Sequence, residues 1–249
     1  EAYQDGAIHF YDLTAAGDRG TDLIANKREG ANNFGAFLQD EIGFGENVIL
    51  SIGGRYDNIS YYYDDYQSPS LDDSRSFTRV TPKIGLTYRL SPTQSIYANF
   101  GGGVEAPAGN EVDPAPTFGA DTVRAINPLL DPITSTTLEL GTKHILSLGP
   151  EERWGTLTYD VALYFLEVIN DIIPYSGGAF YFTAGKTRRM GVEIGSNLRL
   201  DNGLQLDVAL TMSNNAYVNY TIDSVHYGVP GAVKSLNDNK MSGTPETFY

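Results

Sequence analysis

No cysteine occurs among the 249 residues, which excludes disulfide scaffolds and cysteine-ligated metal centres. Absence of cysteine also suits a chain exposed to an oxidising periplasm. Basic residues are scarce: 17 Lys+Arg stand against 31 Asp+Glu, a net charge of −14. A nucleic-acid-binding protein needs a basic face to neutralise phosphates, so that class is set aside. Long apolar runs are missing too. The longest, Val161 to Leu166, falls far short of the roughly 20 residues of a membrane helix. The chain begins Glu1-Ala2-Tyr3, without Met or a signal-peptide pattern, as expected of a processed chain or of a piece of a longer one.

What is plentiful is Tyr (17) and Gly (27), a pairing that suits strands and tight turns better than helices. The informative feature is a period of two. Leu157, Tyr159, Val161, Leu163 and Phe165 alternate with Thr156, Thr158, Asp160, Ala162 and Tyr164. Met190, Val192, Ile194, Leu198 and Leu200, with Ser196 the exception, alternate with Gly191, Glu193, Gly195, Asn197 and Arg199. After Asp201-Asn202-Gly203 the pattern resumes, Leu204, Leu206, Val208, Leu210 and Met212 against Gln205, Asp207, Ala209, Thr211 and Ser213. Ile84/Leu86/Tyr88/Leu90 and Val48/Leu50/Ile52 repeat it. Such alternation marks strands with one apolar and one polar face.

Length decides between a soluble sheet and a membrane one. The runs extend beyond the about 5–6 residues of ordinary strands and match the about 9–11 needed to cross a bilayer at a tilt. Eight strands are expected, near 33–44, 47–63, 76–90, 95–105, 135–147, 155–170, 180–200 and 203–220. Short turns at Gly45-Glu46, Ser91-Pro92-Thr93-Gln94, Gly149-Pro150-Glu151 and Asp201-Asn202-Gly203 alternate with long links at 64–75, 106–134, 171–179 and 221–240. That rhythm is the one transmembrane barrels show, short turns in the periplasm and long loops outside. The polar face carries both signs: Glu41, Asp57, Glu139, Asp160, Glu193 and Asp207 with Arg55, Lys83, Arg89, Lys143 and Arg199. So many charges cannot form a dry core and must meet water, one another or a polar body in a lumen. One departure is Asp40, on the apolar parity but close to a short turn.

Five stretches resemble the barrel of TonB-dependent outer-membrane receptors. They are Ala36-Phe37-Leu38-Gln39-Asp40-Glu41 leading to Gly53-Gly54-Arg55-Tyr56-Asp57, and Pro82-Lys83-Ile84-Gly85-Leu86 followed by Ser95-Ile96-Tyr97-Ala98-Asn99-Phe100. The third, Asn127-Pro128-Leu129-Leu130-Asp131-Pro132 then Leu138-Glu139-Leu140-Gly141-Thr142-Lys143, resembles the family's NPxLxPE…ELGxK stretch, with Ile133 where Glu is usual. The fourth is Ala184-Gly185-Lys186-Thr187-Arg188-Arg189-Met190-Gly191-Val192-Glu193, and the fifth Ser242-Gly243-Thr244-Pro245. Each is weak alone; their order and spacing from about residue 31 onward make the likeness specific. The resemblance implies an all-β antiparallel transmembrane β-barrel segment, about 8 to 10 strands of a 22-stranded barrel. It further implies an N-terminal plug and a short box engaging TonB, neither visible here, and uptake of a ferric siderophore, iron-chelate or similar nutrient. On this reading residues 1–30 are the end of a strand and an extracellular loop, residues 31–249 continue the same barrel, and Tyr249 opens a further strand.

Tyr61 and Tyr63 share the parity of Arg55 and Asp57, so all four are expected to face the lumen, where they could contact an aromatic or hydroxamate iron chelate. The plainer reading is an ordinary aromatic loop base. Lys186 and Arg188 fall on the outward parity about a bilayer's height from Asn202. They could meet lipopolysaccharide phosphates, for which arginine forks are suited, or simply snorkel. Asp64/Asp65 and Asp72/Asp73 lack the spaced pattern of a calcium loop and read as a solvated acidic loop. His9, His144 and His226 are scattered, without ligand spacing. Gly101-Gly102-Gly103-Val104-Glu105-Ala106 fits a dinucleotide G-x-G-x-x-A superficially, but Pro107 and Pro114 prevent the required helix. Gly185-Lys186-Thr187 looks like a P-loop tail whose first Gly is replaced by Phe180. No Gly-x-Ser-x-Gly occurs and no constellation reads as an active site. A non-transporting barrel, adhesive, structural or porin-like, is the alternative. It is separated from a transporter by whether a plug is encoded upstream.

Overall fold

The computed structural model of the chain describes residues 2–106, 131–152, 154–175, 180–222, 231 and 233–249. Among these residues nine long antiparallel strands follow one another along the chain and lie side by side in that order. They are β1 (Ala2–Leu13), β2 (Arg19–Phe44), β3 (Val48–Asp65), β4 (Asp73–Ser91), β5 (Gln94–Glu105), β6 (Ile133–Leu148), β7 (Gly155–Tyr175), β8 (Phe180–Leu200) and β9 (Gln205–Asn219). Two short strands, β10 (Thr221–Ile222) and β11 (Lys234–Ser235), pair with each other. A last one, β12 (Thr247–Phe248), adds to the free side of β9 and makes the main sheet ten-stranded. The sheet is open: β1 and β12 are its two edges. Tyr249 lies immediately after β12.

The strands run longer than the alternation alone indicates. β2 begins at Arg19, β4 at Asp73, and β7 and β8 continue to Tyr175 and from Phe180. These extensions pair in register beyond the apolar stretches, as in Lys27↔Asp65 and Pro174↔Tyr181. Hydrogen bonding to a neighbour makes a strand there, whereas neither face meets hydrocarbon, so the apolar-polar alternation fades. At the opposite end the turns are tight, and Gly45 (φ 63°) and Gly203 (φ 90°) take the left-handed conformation they need.

Parity separates the two faces as the sequence requires. In the register Ile52↔Ile84↔Phe100↔Leu138↔Phe165↔Met190, one apolar residue per strand lies on the convex side. Leu38 (81 %) and Leu140 (55 %) are exposed there. Leaving such side chains in water would forfeit about 1.5–3 kcal/mol each. Hydrocarbon is the medium that fits this face. From Phe44 to Phe34 on β2 is ten residues; at about 3.3 Å per residue and a tilt near 40° this is about 25 Å, the height of a barrel's apolar band. His144 Nδ1 and the Tyr159 hydroxyl, 3.2 Å apart, and exposed Trp154 lie near the tight-turn end, where amphipathic rings suit a membrane boundary.

Leu140→Arg, on the convex face at mid-band, is expected to cost about 2–4 kcal/mol of folding stability in bilayers, whereas Asn99→Arg, on the concave face, costs little. Denaturant titration of the full protein refolded into vesicles compares the two. Equal costs would mean that the faces are assigned the wrong way round.

Candidate functional site

The concave face carries the polar rows, and at the long-loop end several of its side chains leave solvent. On β3 the inward positions Asp57, Ile59, Tyr61 and Tyr63 are all buried. Arg55, two residues below Asp57, donates from Nε to both carboxylate oxygens at 2.8 and 2.9 Å and from a terminal nitrogen at 2.8 Å. The pair is possible because Gly35 lies opposite Asp57; a β-carbon there would collide with the guanidinium. Arg79, paired with Asp57 across β3–β4, brings a second guanidinium to the same row.

Tyr61 and Tyr63 point the way their parity requires but are not open lumen aromatics. Each is only 8 % exposed, packed with Ile59 beside Ala31, Leu71, Phe77 and Ala106. Tyr61 and Phe77 meet edge to face at 6.1 Å, and Lys27 lies 5.2 Å from the Tyr63 ring centre. Arg55 and Tyr63 are eight residues apart on one strand, or about 26 Å at strand rise. The four residues therefore line one wall without forming a single pocket.

Pairing of β4 with β5 stops at Lys83↔Gly101, immediately before Pro82, while β4 continues against β3 to Tyr63↔Asp73. Proline has no N–H to give to a second ladder. Gly102 lies beneath the Pro82 ring, its would-be β-carbon 3.1 Å from Pro82 Cδ. Beyond this point β4 and β5 part, and a groove of about 480 Å³ opens, with Asp57, Arg79, Ser76, Asp131 and Asn170 among its lining. Arg75 spans its rim to Asp131 at 2.8 Å. The volume lies in the range of small-ligand sites.

A second polar knot lies on β7 and β8. Asn170 adopts φ 61° and its amide donates to the Pro132 carbonyl. The next residue, Asp171, accepts from the Thr187 hydroxyl at 2.9 Å and from Arg189 at 2.7 Å. Thr187 is completely buried. Lower on the same wall, Glu139, Tyr164, Arg189 and Glu193 line a shallower depression of about 530 Å³. Neither Asn170 nor Asp171 stood out in the sequence, since one flipped residue inside a strand leaves no periodic trace.

The remaining candidates fall elsewhere. Lys186 and Arg188 are paired with Ile169 and Glu167 on the convex face, and Lys186 Nζ lies 2.6 Å from Glu167. Asp65 and Asp72 are taken up by the turn between β3 and β4: Asp72 accepts from the Asp65 N–H, and Asp65 from those of Gln67 and Ser68. Gly101, Gly102 and Gly103 are strand residues of β5. His226 and the 127–130 part of the third family-like stretch lie outside the described residues.

Comparison with known proteins fits this wall. The family model described as TonB dependent receptor-like, beta-barrel, matches residues 2–249. The chain belongs to the TonB-dependent receptor family. Among solved structures, the ferric-catecholate import receptor Fiu from K12 E. coli in its closed form is 20 % identical at TM-score 0.62, over 98 % of this chain and 36 % of that one. The ferric yersiniabactin uptake receptor FyuA from Yersinia pestis is 15 % identical at TM-score 0.62, over 92 % of this chain and 32 % of its own. The ferric citrate transporter FecA is 20 % identical at TM-score 0.61, over 87 % and 32 %. At these identities the likeness is one of fold. The chain spans about a third of each of these structures. It is a partial barrel of a family that resides in the bacterial outer membrane and consists of receptors and transporters.

Asp171→Ala is expected to cost about 1–3 kcal/mol, because it strips the acceptor from a wholly buried hydroxyl and from Arg189. Hydrogen exchange should show faster opening of β7–β8 above Val168, with the Gly155–Val161 end unchanged. Uniform protection in the variant would mean that the knot does not hold this hairpin.

Proposed function

We propose that the parent receptor imports a ferric siderophore or similar nutrient chelate across the outer membrane, driven by TonB acting through parts of the protein outside this chain. The observation that carries the reading is the concave wall itself. Membership of a receptor family joins there with a charged, grooved surface that offers both guanidinium and carboxylate groups to a polar cargo. Asp57 and Arg79 line the ~480 Å³ groove, with Arg55 held against Asp57, while Tyr61 and Tyr63 brace its apolar side through Ile59 and Phe77. The uptake receptors for ferric catecholate, ferric yersiniabactin and ferric citrate support an iron cargo by analogy of fold.

In this reading the wall binds and the protein does no covalent chemistry; Arg55 and Arg79 attract the anionic ligands of the metal, and the ionic rows below keep the passage wet. Deleting the gene should abolish growth on the cognate ferric chelate as sole iron source, and loss of TonB should do the same. In the full receptor, Arg55→Gln combined with Arg79→Gln is expected to weaken chelate binding about 10-fold or more, read by fluorescence quenching or calorimetry on folded protein. Growth on every tested chelate without the gene, or uptake indifferent to TonB, would sink the transport reading and favour an adhesive or porin-like barrel.

A further inference from the structure

We infer that the groove above Pro82 holds the alkyl tail of an amphiphilic ferric chelate while Arg79 meets its anionic head, an assignment that rests on the transport function proposed above. Side chains of opposite parity line this groove. Asp57, Ile59, Phe77 and Arg79 point inward from β3 and β4, in the pairs Asp57↔Arg79 and Ile59↔Phe77. Val104, Thr134 and Ile169 form one outward row across β5, β6 and β7. In a single-layered sheet these two sets would stand on opposite sides. They meet because the upper part of β5–β7 passes inside β4. Gly102 marks the crossing. An outward β-carbon on it would lie 3.1 Å from Pro82 Cδ and 3.6 Å from Cβ of Thr81, which itself points inward. Ala106 accordingly packs on the inner cluster of Ile59, Tyr61 and Tyr63, and the inward Arg75 reaches Asp131 at 2.8 Å. The wall is lapped here, and the groove is the space between the two layers.

Such a lap connects the concave side with the lipid face. Thr78, which lines the groove, stands in the row Phe34↔Asn58↔Thr78 at the top of the apolar band. Val80, the next outward residue below it, is exposed. The outer mouth therefore opens where hydrocarbon ends. Toward the concave side the lining is ionic. The Asp57 carboxylate is taken by Arg55 and that of Asp131 by Arg75. Arg79 is exposed and has no ion pair or hydrogen bond with any described residue. The lining and its ion-pair partners, three arginines and two aspartates, thus sum to +1. Along the lap Ile59, Phe77, Val104, Pro132 and Ile169 are apolar, a surface that ordered water serves poorly. A spare cation at one mouth and an apolar slot leading to the bilayer are the complement of an anionic head with a hydrocarbon tail.

The test uses the full receptor in vesicles, with unboiled gel migration reporting folding. The probes are the iron(III) complex of a citrate dihydroxamate with a lauroyl tail and the same complex without it, followed by fluorescence quenching. The tailed complex is expected to bind about tenfold tighter or more, which burying roughly two methylene groups already supplies. Val104→Trp, and Thr78→Trp at its exposed position, fill the slot and should bring that ratio close to one. Arg79→Gln should weaken both complexes alike. Thr81→Cys with Gly102→Cys tests the lap itself: a Cβ separation of 3.6 Å suits a disulfide, for which about 3.5–4.5 Å is usual, and the pair is expected to oxidise in the folded receptor. An unoxidised pair, no binding of the tailed complex, or a ratio unchanged by both tryptophans overturns the assignment. So does laurate alone competing as strongly as the tailed complex, which would give the slot to a membrane fatty acid. Equal binding of the two complexes with TonB-dependent growth intact removes only the tail, whereas growth indifferent to TonB removes the transport function as well.

Discussion

Within hydrocarbon no water is available to a backbone N–H or C=O, so every peptide group must find its partner in the protein itself. Long antiparallel ladders meet that demand here, with neighbours in space also neighbours in sequence. The β2–β3 register holds without a shift from Phe44↔Val48 to Lys27↔Asp65, and β6–β7 from Leu148↔Gly155 to Thr134↔Ile169. Once the ladders are in place, side-chain parity follows, and with it the division between a face for lipid and a face for water. Burial in the usual sense contributes little. The buried clusters around Tyr61 and around Tyr217, Tyr220 and Met241 are small and lie at the long-loop end.

The places where the ladder gives way are where the wall acquires character. Pro82 ends the β4–β5 pairing, and the groove opens above it. Asn170 turns the backbone of β7, and Asp171 thereby reaches Thr187 and Arg189 on the concave side. Both breaks lie toward the end where strands leave the apolar band. An interrupted ladder can be satisfied there by side chains and water, which the bilayer interior does not permit.

Charge is handled differently on the two faces. On the concave side, opposite signs are paired closely, as in Arg55–Asp57 and Arg189–Asp171, with Arg79 an additional cation in the Asp57 row. On the convex side, apart from Asp40, which pairs with Ile52, charge gathers toward the long-loop end, where Lys186 meets Glu167 and Arg188 stands beside them. Both arrangements follow from the dielectric: a single ion is tolerable beside water and costly within hydrocarbon.

The fold class, most strand positions and the inward parity of Arg55, Asp57, Tyr61 and Tyr63 were readable from the residues alone. The reason is local. A membrane strand must alternate, tight turns need Gly and Asn, and no long-range information is required to see either. The outer parts of β2, β7 and β8 were less legible, since above the bilayer strand pairing no longer imposes a hydrophobic period. What required the assembled sheet were meetings between distant residues: the carboxylate of Asp171 against Thr187, the slot above Pro82, and the outward side of Gly102 brought against Thr81. Register sets these contacts, and register is a property of neighbouring strands that no single segment contains.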